Sequence, residues 1–600
     1  MPSPEVNPTL PSVNVRLELD RSFARLLDPA DPLAVSLSGQ LEQALSERLA
    51  ILGVPAVPVI QIAALSASRA DDESFLRILV NDQICPFSAE LVQRVYSCVN
   101  GLPLSPRPNA HEVGQWLSRL DGHKNGDGLS DEAGARRVEL LCCLCLETVW
   151  LRPRVFLTPE AVTAYLASLH AVNVLDLASM AQRINPLWLR PILQEVLDLK
   201  ISIADRPTVS KVLAENCRRS RVELTEDLVV ALRPPQLEIR LPEAYLRELT
   251  TASTEKDVFT LLRDGLFYEL GVRLPDFRLV VDEGLHPRTF VLKINHLTVL
   301  PWVGIKPEQW LVNAVIEEDG DRAVKLNDGT RLPAAAALNP AQWNVCALVD
   351  GNGKNQAEAS GLTTWSQLGY LILSVATDLR NNSALLLDSK HVQQMTEQLA
   401  QVFPALVAAV RQKVSLEQLT AMLRALLADQ ISIRNLRAIC EAVLDYDVLV
   451  INALKLIVFD DRLPVLREPD KATLGSPENL ATAVRASLKR YLSHKVSRGL
   501  STLSVILLNP EVEEILILSR STASGSDAAG LSPRDQERLT AALRAELRHA
   551  SHCALLTTIE ARPALRELVY LEFPRVPVLA YQELSPEMSL QPIARVSLDA

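Results

Sequence analysis

The stretch Leu385–Leu444, LLLDSKHVQQMTEQLAQVFPALVAAVRQKVSLEQLTAMLRALLADQISIRNLRAICEAVL, constrains the chain most, because it reads as a compact series of helices. Val392, Met395, Leu399, Val402, Phe403, Leu406, Val407 and Val410 recur at three- and four-residue steps, which predicts one apolar stripe on a helix of roughly five turns. Such a stripe must be buried against something. Ser415 with Gln418 forms a predicted capping box, and Leu419, Met422, Leu423, Leu426 and Leu427 continue inward. Ser432 is the expected cap of a third helix carrying Ile433, Leu436, Ile439 and Val443.

Six hundred residues exceed what one core can organise, so two to four domains are expected. The net charge of −11 repels phosphate backbones and anionic lipid, which removes nucleic acid and membrane surface as primary partners. The longest apolar run, Val138–Leu151, contains two glutamates and is too short to cross a bilayer, so no transmembrane segment is expected. Residues 1–13 are rich in proline and lack a signal-peptide pattern; they read as a disordered lead-in, with the protein expected in the cytoplasm. Cys142, Cys143 and Cys145 lie within an apolar run with no paired ligands nearby, as buried small hydrophobes would.

Catalytic signatures are missing. There is no phosphate-binding GxxxxGK[ST], no GxSxG and no HExxH. The loop Asp121–Glu132 invites a calcium-site reading through Asp121, Asn125, Asp127 and Glu132, but its register is poor and a solvated turn is the simpler expectation. His549 and His552 share a predicted helix face without a third ligand. No cofactor, metal or catalytic residue is expected, and the chain reads as no enzyme.

In order along the chain, Val13–Asp20 alternates as a strand and Leu37–Leu52 follows as a helix ending near Gly53. Strand-like runs at Val57–Ala63 and Phe75–Val80 complete a small α+β unit. Thr158 and Pro159 open a helix carrying Val162, Tyr165, Leu166 and Leu169. Here the chain repeats itself: Ile201-Ser202-Ile203 recurs as Ile431-Ser432-Ile433, and the helix at Val162 recurs at Val392, both 230 residues on. The alternative is chance similarity between amphipathic helices; the constant offset and like order favour duplication. Pro207 places the corresponding helix start in the first copy near Asp205.

The segment Ile431, Ser432, Ile433, Arg434, Asn435, Leu436, Arg437, Ile439 and Glu441 resembles a pattern of the FHIPEP family, the flagellar and virulence type III export-gate proteins. ELGVRLPDFRLVVDEGL resembles a second family segment, although Arg278 and Asp282 stand one residue further apart than in the flagellar pattern. Val484, Arg485 and Leu488 match a "V-R-x-x-L" helix. Arg562, Leu565, Pro574, Val578, Leu579, Glu583, Leu584, Pro586, Met588, Leu590 and Gln591 match the family's C-terminal pattern. The resemblance covers residues 250–600 well and 14–235 weakly.

The resemblance implies an α+β, multi-subdomain protein of two tandem modules. Residues 14–235 would be a divergent first module with its helical part at 156–232. Residues 244–384 would be an α+β subdomain with a small inserted subdomain at about 301–365, including a turn at Asp350-Gly351-Asn352-Gly353. Residues 385–500 would be all-helical, and 501–600 a last α+β subdomain. A soluble module would occupy the place of the family's membrane region, so the chain itself would not form the channel. The implied role is non-enzymatic: a docking platform for chaperone–substrate complexes in type III secretion, working with other export-apparatus proteins, peripheral to the inner membrane and capable of a homo-oligomeric ring. The implied docking residues are Leu266, Phe267, Arg278 and Asp282; Arg434 and Arg437 would serve an oligomer interface. A regulator or chaperone-like protein that binds substrates or the true gate without forming a ring is the second expectation. A metal-regulated enzyme using the Asp121 loop is the third.

Overall fold

The computed structural model describes residues 10–65, 75–104, 113, 114, 117, 131–171, 185–216, 218–232, 237–252, 258–314, 316, 323–326, 330–446, 476–523, 533–547 and 553–598. The Asp121 loop ligands up to Asp127, His549 and His552 lie outside them. The chain mixes helices with four-stranded and larger sheets, the content of an α+β protein. The chain divides into two compact units, residues 1–218 with 227–386, and residues 219–226 with 387–600.

In the first unit, strand Ser12–Leu19 buries alternate residues, Val13, Val15, Leu17 and Leu19, against the helix side. Helix Pro32–Leu52 is capped by Asp31, whose side chain accepts from Leu33 N, and ends at Gly53 with φ 78°. Only glycine suits that place, since a Cβ would also fall 2.5 Å from the Ala204 Cα. The helix carries the chain to Val57–Ala64, which pairs in parallel with the first strand, while Leu76–Val80 and Gln83–Ile84 add antiparallel ones. Helices Ala89–Val99, Asp131–Trp150, Pro159–Ala171, Pro186–Asp198 and Arg206–Asn216 follow.

A second sheet has the order Phe277–Val281, Leu237–Leu241, Thr289–Ile294, Leu297–Thr298, again with the first pair parallel and the others antiparallel. Its crossover helix, Val258–Leu270, also ends at a left-handed glycine, Gly271 with φ 82°. Trp302–Val303 pairs with Thr289–Phe290 and leads into an inserted sheet ordered Ala335–Leu338, Val345–Val349, Trp310–Val312, Thr364–Trp365. Asp350-Gly351-Asn352-Gly353 is no turn: Asp350 accepts from Gly353 N at 2.8 Å and caps helix Gly351–Ala359. The capping aspartate overrides the glycines' low helix propensity. Helix Gln367–Asn382 returns the chain to the second sheet's subdomain, burying Tyr370 with Ile305, Leu311, Ala337, Cys346 and Leu348.

The second unit opens with the helical series. The single helix expected from Val392 to Val410 is two, Ser389–Val402 and Pro404–Lys413, because Pro404 donates no backbone hydrogen bond and holds Phe403 out of the helical region. The Ser415–Gln418 capping box forms on both sides, at 3.1 and 2.9 Å. Ser432 does not cap the next helix. Asn435 does, accepting from Ala438 N at 3.2 Å, while Ser432 Oγ turns back to Arg434 N. Helices Pro477–Ser487 and Lys489–Ser497 lead to a four-stranded parallel sheet, Val578–Ala580, Ala554–Thr557, Thr502–Leu508, Ser589–Val596.

The helical series and this last sheet are joined by a buried charge cluster. Arg485 donates to both oxygens of Glu583 and to Asp429; Arg562 and Arg566 also donate to Asp429, at 3.0 and 2.9 Å. Burial alone would raise the Asp429 carboxyl, but the three guanidiniums outweigh it and hold the pKa down at about 2. Arg485, Arg562 and Glu583 are among the residues that carry the sequence resemblance, and packing is what they do here.

Candidate docking face

Helix Val258–Leu270 buries Leu262, Leu266 and Leu270 at four-residue spacing and packs on helix Gln367–Asn382. Its opposite side presents Leu261 and Tyr268, 67% and 62% exposed. The neighbouring strand Phe277–Val281 lies at the sheet's edge, with Leu237–Leu241 on one side and, among the described residues, no strand on the other. Leu279 and Val281 stand on it 47% and 48% exposed. Phe259 of the helix and Phe277 of the strand meet with ring centroids 5.4 Å apart, joining the two surfaces. Arg380 grips both oxygens of Glu269 at 2.9 Å, which ties the helix to Gln367–Asn382.

The four residues expected to dock a partner fall unequally on this face. Leu266 is a core residue, 2% exposed, and presents nothing to a partner. Phe267 is half-buried, edge-on to Tyr268 at 6.0 Å and 5.8 Å beneath the Arg273 guanidinium. Arg278 is exposed on the edge strand. Asp282 is half-buried just beyond the strand; it accepts from Gly284 N at 3.1 Å and faces Arg240 at 3.7 Å. The sequence reading omitted Leu261, Tyr268, Leu279 and Val281. The signal for the last two was present in FRLVV, which is too apolar on both faces for an edge strand bordered by water.

An uncovered apolar face rimmed by separate charges suits protein association, since burying it removes apolar area from water at little polar cost. Among the described residues no three His, Cys, Asp or Glu side chains are grouped to hold a metal ion. Burial pushes the thiols of Cys98 and Cys142 up to about 11 and that of Cys143 to about 12, so they stay protonated and poorly nucleophilic at neutral pH. Among the described residues no helix is long and apolar enough to cross a membrane.

Arg434 and Arg437 are both exposed on the helical series. Arg437 pairs with Glu441 at 2.8 Å and lies 4.6 Å over the Phe403 ring, beside Val402, which is 69% exposed.

Residues 226–589 match the model of the FHIPEP family. The Low calcium response locus protein D of Yersinia pestis is 25% identical over 358 residues, 59% of this chain and 46% of the relative. The Flagellar biosynthesis protein FlhA of Treponema pallidum is 25% identical over 392 residues, 62% of this chain and 48% of that protein. The chain thus spans about half the length of the curated relatives it matches. Among solved structures, the Chlamydia pneumoniae CdsV protein is similar at 25% identity with a TM-score of 0.46, covering 60% of this chain and 98% of the other. With more than half of its length matched, and with virulence and flagellar proteins alike among its relatives, the chain belongs to the FHIPEP family of type III export proteins.

Proposed function

We propose that this protein is a non-enzymatic part of a type III secretion export apparatus, and that its second module docks chaperone–substrate complexes at the cytoplasmic side of the inner membrane. The observation that carries this reading is the open apolar face of Leu261, Tyr268, Leu279 and Val281, adjoining Phe267, Arg278 and Asp282 within the family-matched segment. A partner with an apolar segment of its own gains affinity by covering such a face. The test is titration of the purified protein with a candidate export chaperone–substrate complex by calorimetry; saturable binding that Phe267→Ala weakens at unchanged thermal stability supports the reading, and no binding overturns it.

The reading includes a tandem duplication. The two edge-to-centre sheets share one topology, parallel then antiparallel, and each crossover helix ends at a left-handed glycine. Asn81 and Asn295 both follow the third strand with φ of 49° and 56°, and their side-chain amides donate to Val155 O and Leu385 O, carbonyls 230 residues apart. Lys200 and Gln430, also 230 apart, are both left-handed at φ 59° and 56° before Ile-Ser-Ile. Helices Pro159–Ala171 and Ser389–Val402 start at that same offset. Random convergence of amphipathic helices gives no reason for matched left-handed residues.

Strand register then aligns the two edge strands. Ile60 pairs with Val15 and Val15 with Val80, just as Phe277 pairs with Leu237 and Leu237 with Ile294. Gln61 stands where the second module has Arg278, and buried Leu65 where it has Asp282. This supports docking at the second module alone.

A ring of subunits is part of the proposal, through the exposed Arg434 surface. The local satisfaction of Arg437 by Glu441 and Phe403 favours, for that residue, the second reading of a regulator that acts without a ring. Light scattering at several protein concentrations separates the two.

A further inference from the structure

Helix Ala89–Val99 of the first module, capped by Ser88 onto Leu91 N at 3.1 Å, meets three parts of the second module through one turn. Arg94 Nη1 and Nη2 donate to the two oxygens of Asp378 at 2.9 and 3.0 Å, and Nη2 also donates to the Leu300 carbonyl. Its guanidinium lies 3.9 Å over the Trp302 ring, and Trp302 Nε1 donates to Asp378 at 2.7 Å. One residue earlier, Gln93 accepts from Trp343 Nε1 at 3.1 Å, and Trp343 stands edge-on to Trp302 at 6.3 Å. Beyond the helix, Leu104 O accepts from Leu338 N at 2.9 Å.

These partners belong to different bodies. Asp378 is on the return helix of the second sheet's subdomain, Leu300 and Trp302 lie on the link leading out of it, and Leu338 and Trp343 are in the inserted subdomain. The Asp378 side chain is 2% exposed and that of Arg94 15%, so their pair is shielded from water and salt. A planar fork bonded at two points and stacked on an indole fixes direction as well as distance, which a lysine in its place would not. The inserted subdomain also touches the return helix directly, where Thr377 Oγ1 donates to Pro340 O at 3.0 Å. That contact is one residue from Asp378 on the same helix, and the inserted sheet shares a core with the helix at Tyr370, so Arg94 with Gln93 reinforces a boundary that is already packed.

We propose that helix Ala89–Val99 is a strut supplied by the first module that locks the inserted subdomain against the second sheet's subdomain. The strut is a matter of geometry and stands apart from the docking reading above. It gives the first module a task that needs no partner-binding face of its own.

The test uses the full chain with dyes on unnatural residues at Leu261 and Lys325, both exposed, and reads their distance distribution by single-molecule energy transfer. Arg94→Met alone leaves Asp378 buried without its cation and can unfold the protein, so the deciding variant is Arg94→Met with Asp378→Asn, where the amide oxygen still accepts from Trp302. Gln93→Ala, which removes the Trp343 bond and leaves the Arg94–Asp378 pair in place, is the milder second variant. Both are expected to broaden and shift the distribution relative to the parent, the double variant more. A distribution unchanged in the folded double variant overturns the strut. Binding of a candidate chaperone–substrate complex to the parent protein decides the docking reading separately, because the distance is measured with no partner present.

Discussion

Glu583 receives Arg485 through both of its oxygens, at 2.6 Å from Nε and 2.8 Å from Nη2, across 98 residues of sequence. Both side chains are buried, and Glu583 also accepts from Ala580 N. Removing one partner leaves the other charged in a low-dielectric site. Arg485→Met is therefore expected to cost about 3–5 kcal/mol, read as a lowered urea midpoint for the second unit. A loss near zero would mean that Arg562 and Arg566 take over the carboxylates.

Acid should loosen the same cluster through Asp429. Its pKa is depressed from 3.8 to about 2 in the folded protein, so the stabilisation is complete above pH 4 and is lost as pH falls through the folded value. A depression of this size corresponds to about 2 kcal/mol. Asp429→Asn should remove that component, flattening the stability profile between pH 4 and 2 while leaving the rest of the acid transition in place; an unaltered profile would contradict the assignment.

Neighbouring positions on one helix should separate stability from binding. Leu266→Ala opens a cavity in the core and is expected to cost about 2–5 kcal/mol. Phe267→Ala, at a half-buried surface position, should cost far less stability and more affinity. Calorimetry and thermal melts on both variants check this; equal losses of stability would place Phe267 in the core.

The two edge strands make an internal control. Gln61→Ala in the first module is expected to leave affinity for a chaperone–substrate complex unchanged, whereas Asp282→Asn in the second lowers it. A parallel loss in both would show that each module docks a partner.

Much of this was legible in the sequence because it is local. The Ser415–Gln418 box, the helix start after Asp205 and the strand alternation from Val13 each depend on residues within a few positions of one another. The misread break at Phe403–Pro404 was also local, since apolar periodicity persisted through a residue that cannot donate to the helix. Ser432 lost to Asn435 because Ile433 had to stay buried in extended chain before the helix could begin. What no local pattern carries is pairing at a distance. Arg485 and Glu583 appeared only as motif letters, and Arg94 with Asp378, 284 residues apart, gave no signal at all. The family resemblance pointed to Phe267, Arg278 and Asp282, yet the exposed aliphatic residues beside them became visible only once the edge of the sheet was known.

The most direct test of the central claim is the binding isotherm of the full protein with a purified export chaperone–substrate complex, measured beside Phe267→Ala. Saturable binding, weakened in the variant while its melting curve is preserved, is the predicted result. Absence of binding to the parent protein, or identical affinity in the variant, would contradict docking at this face.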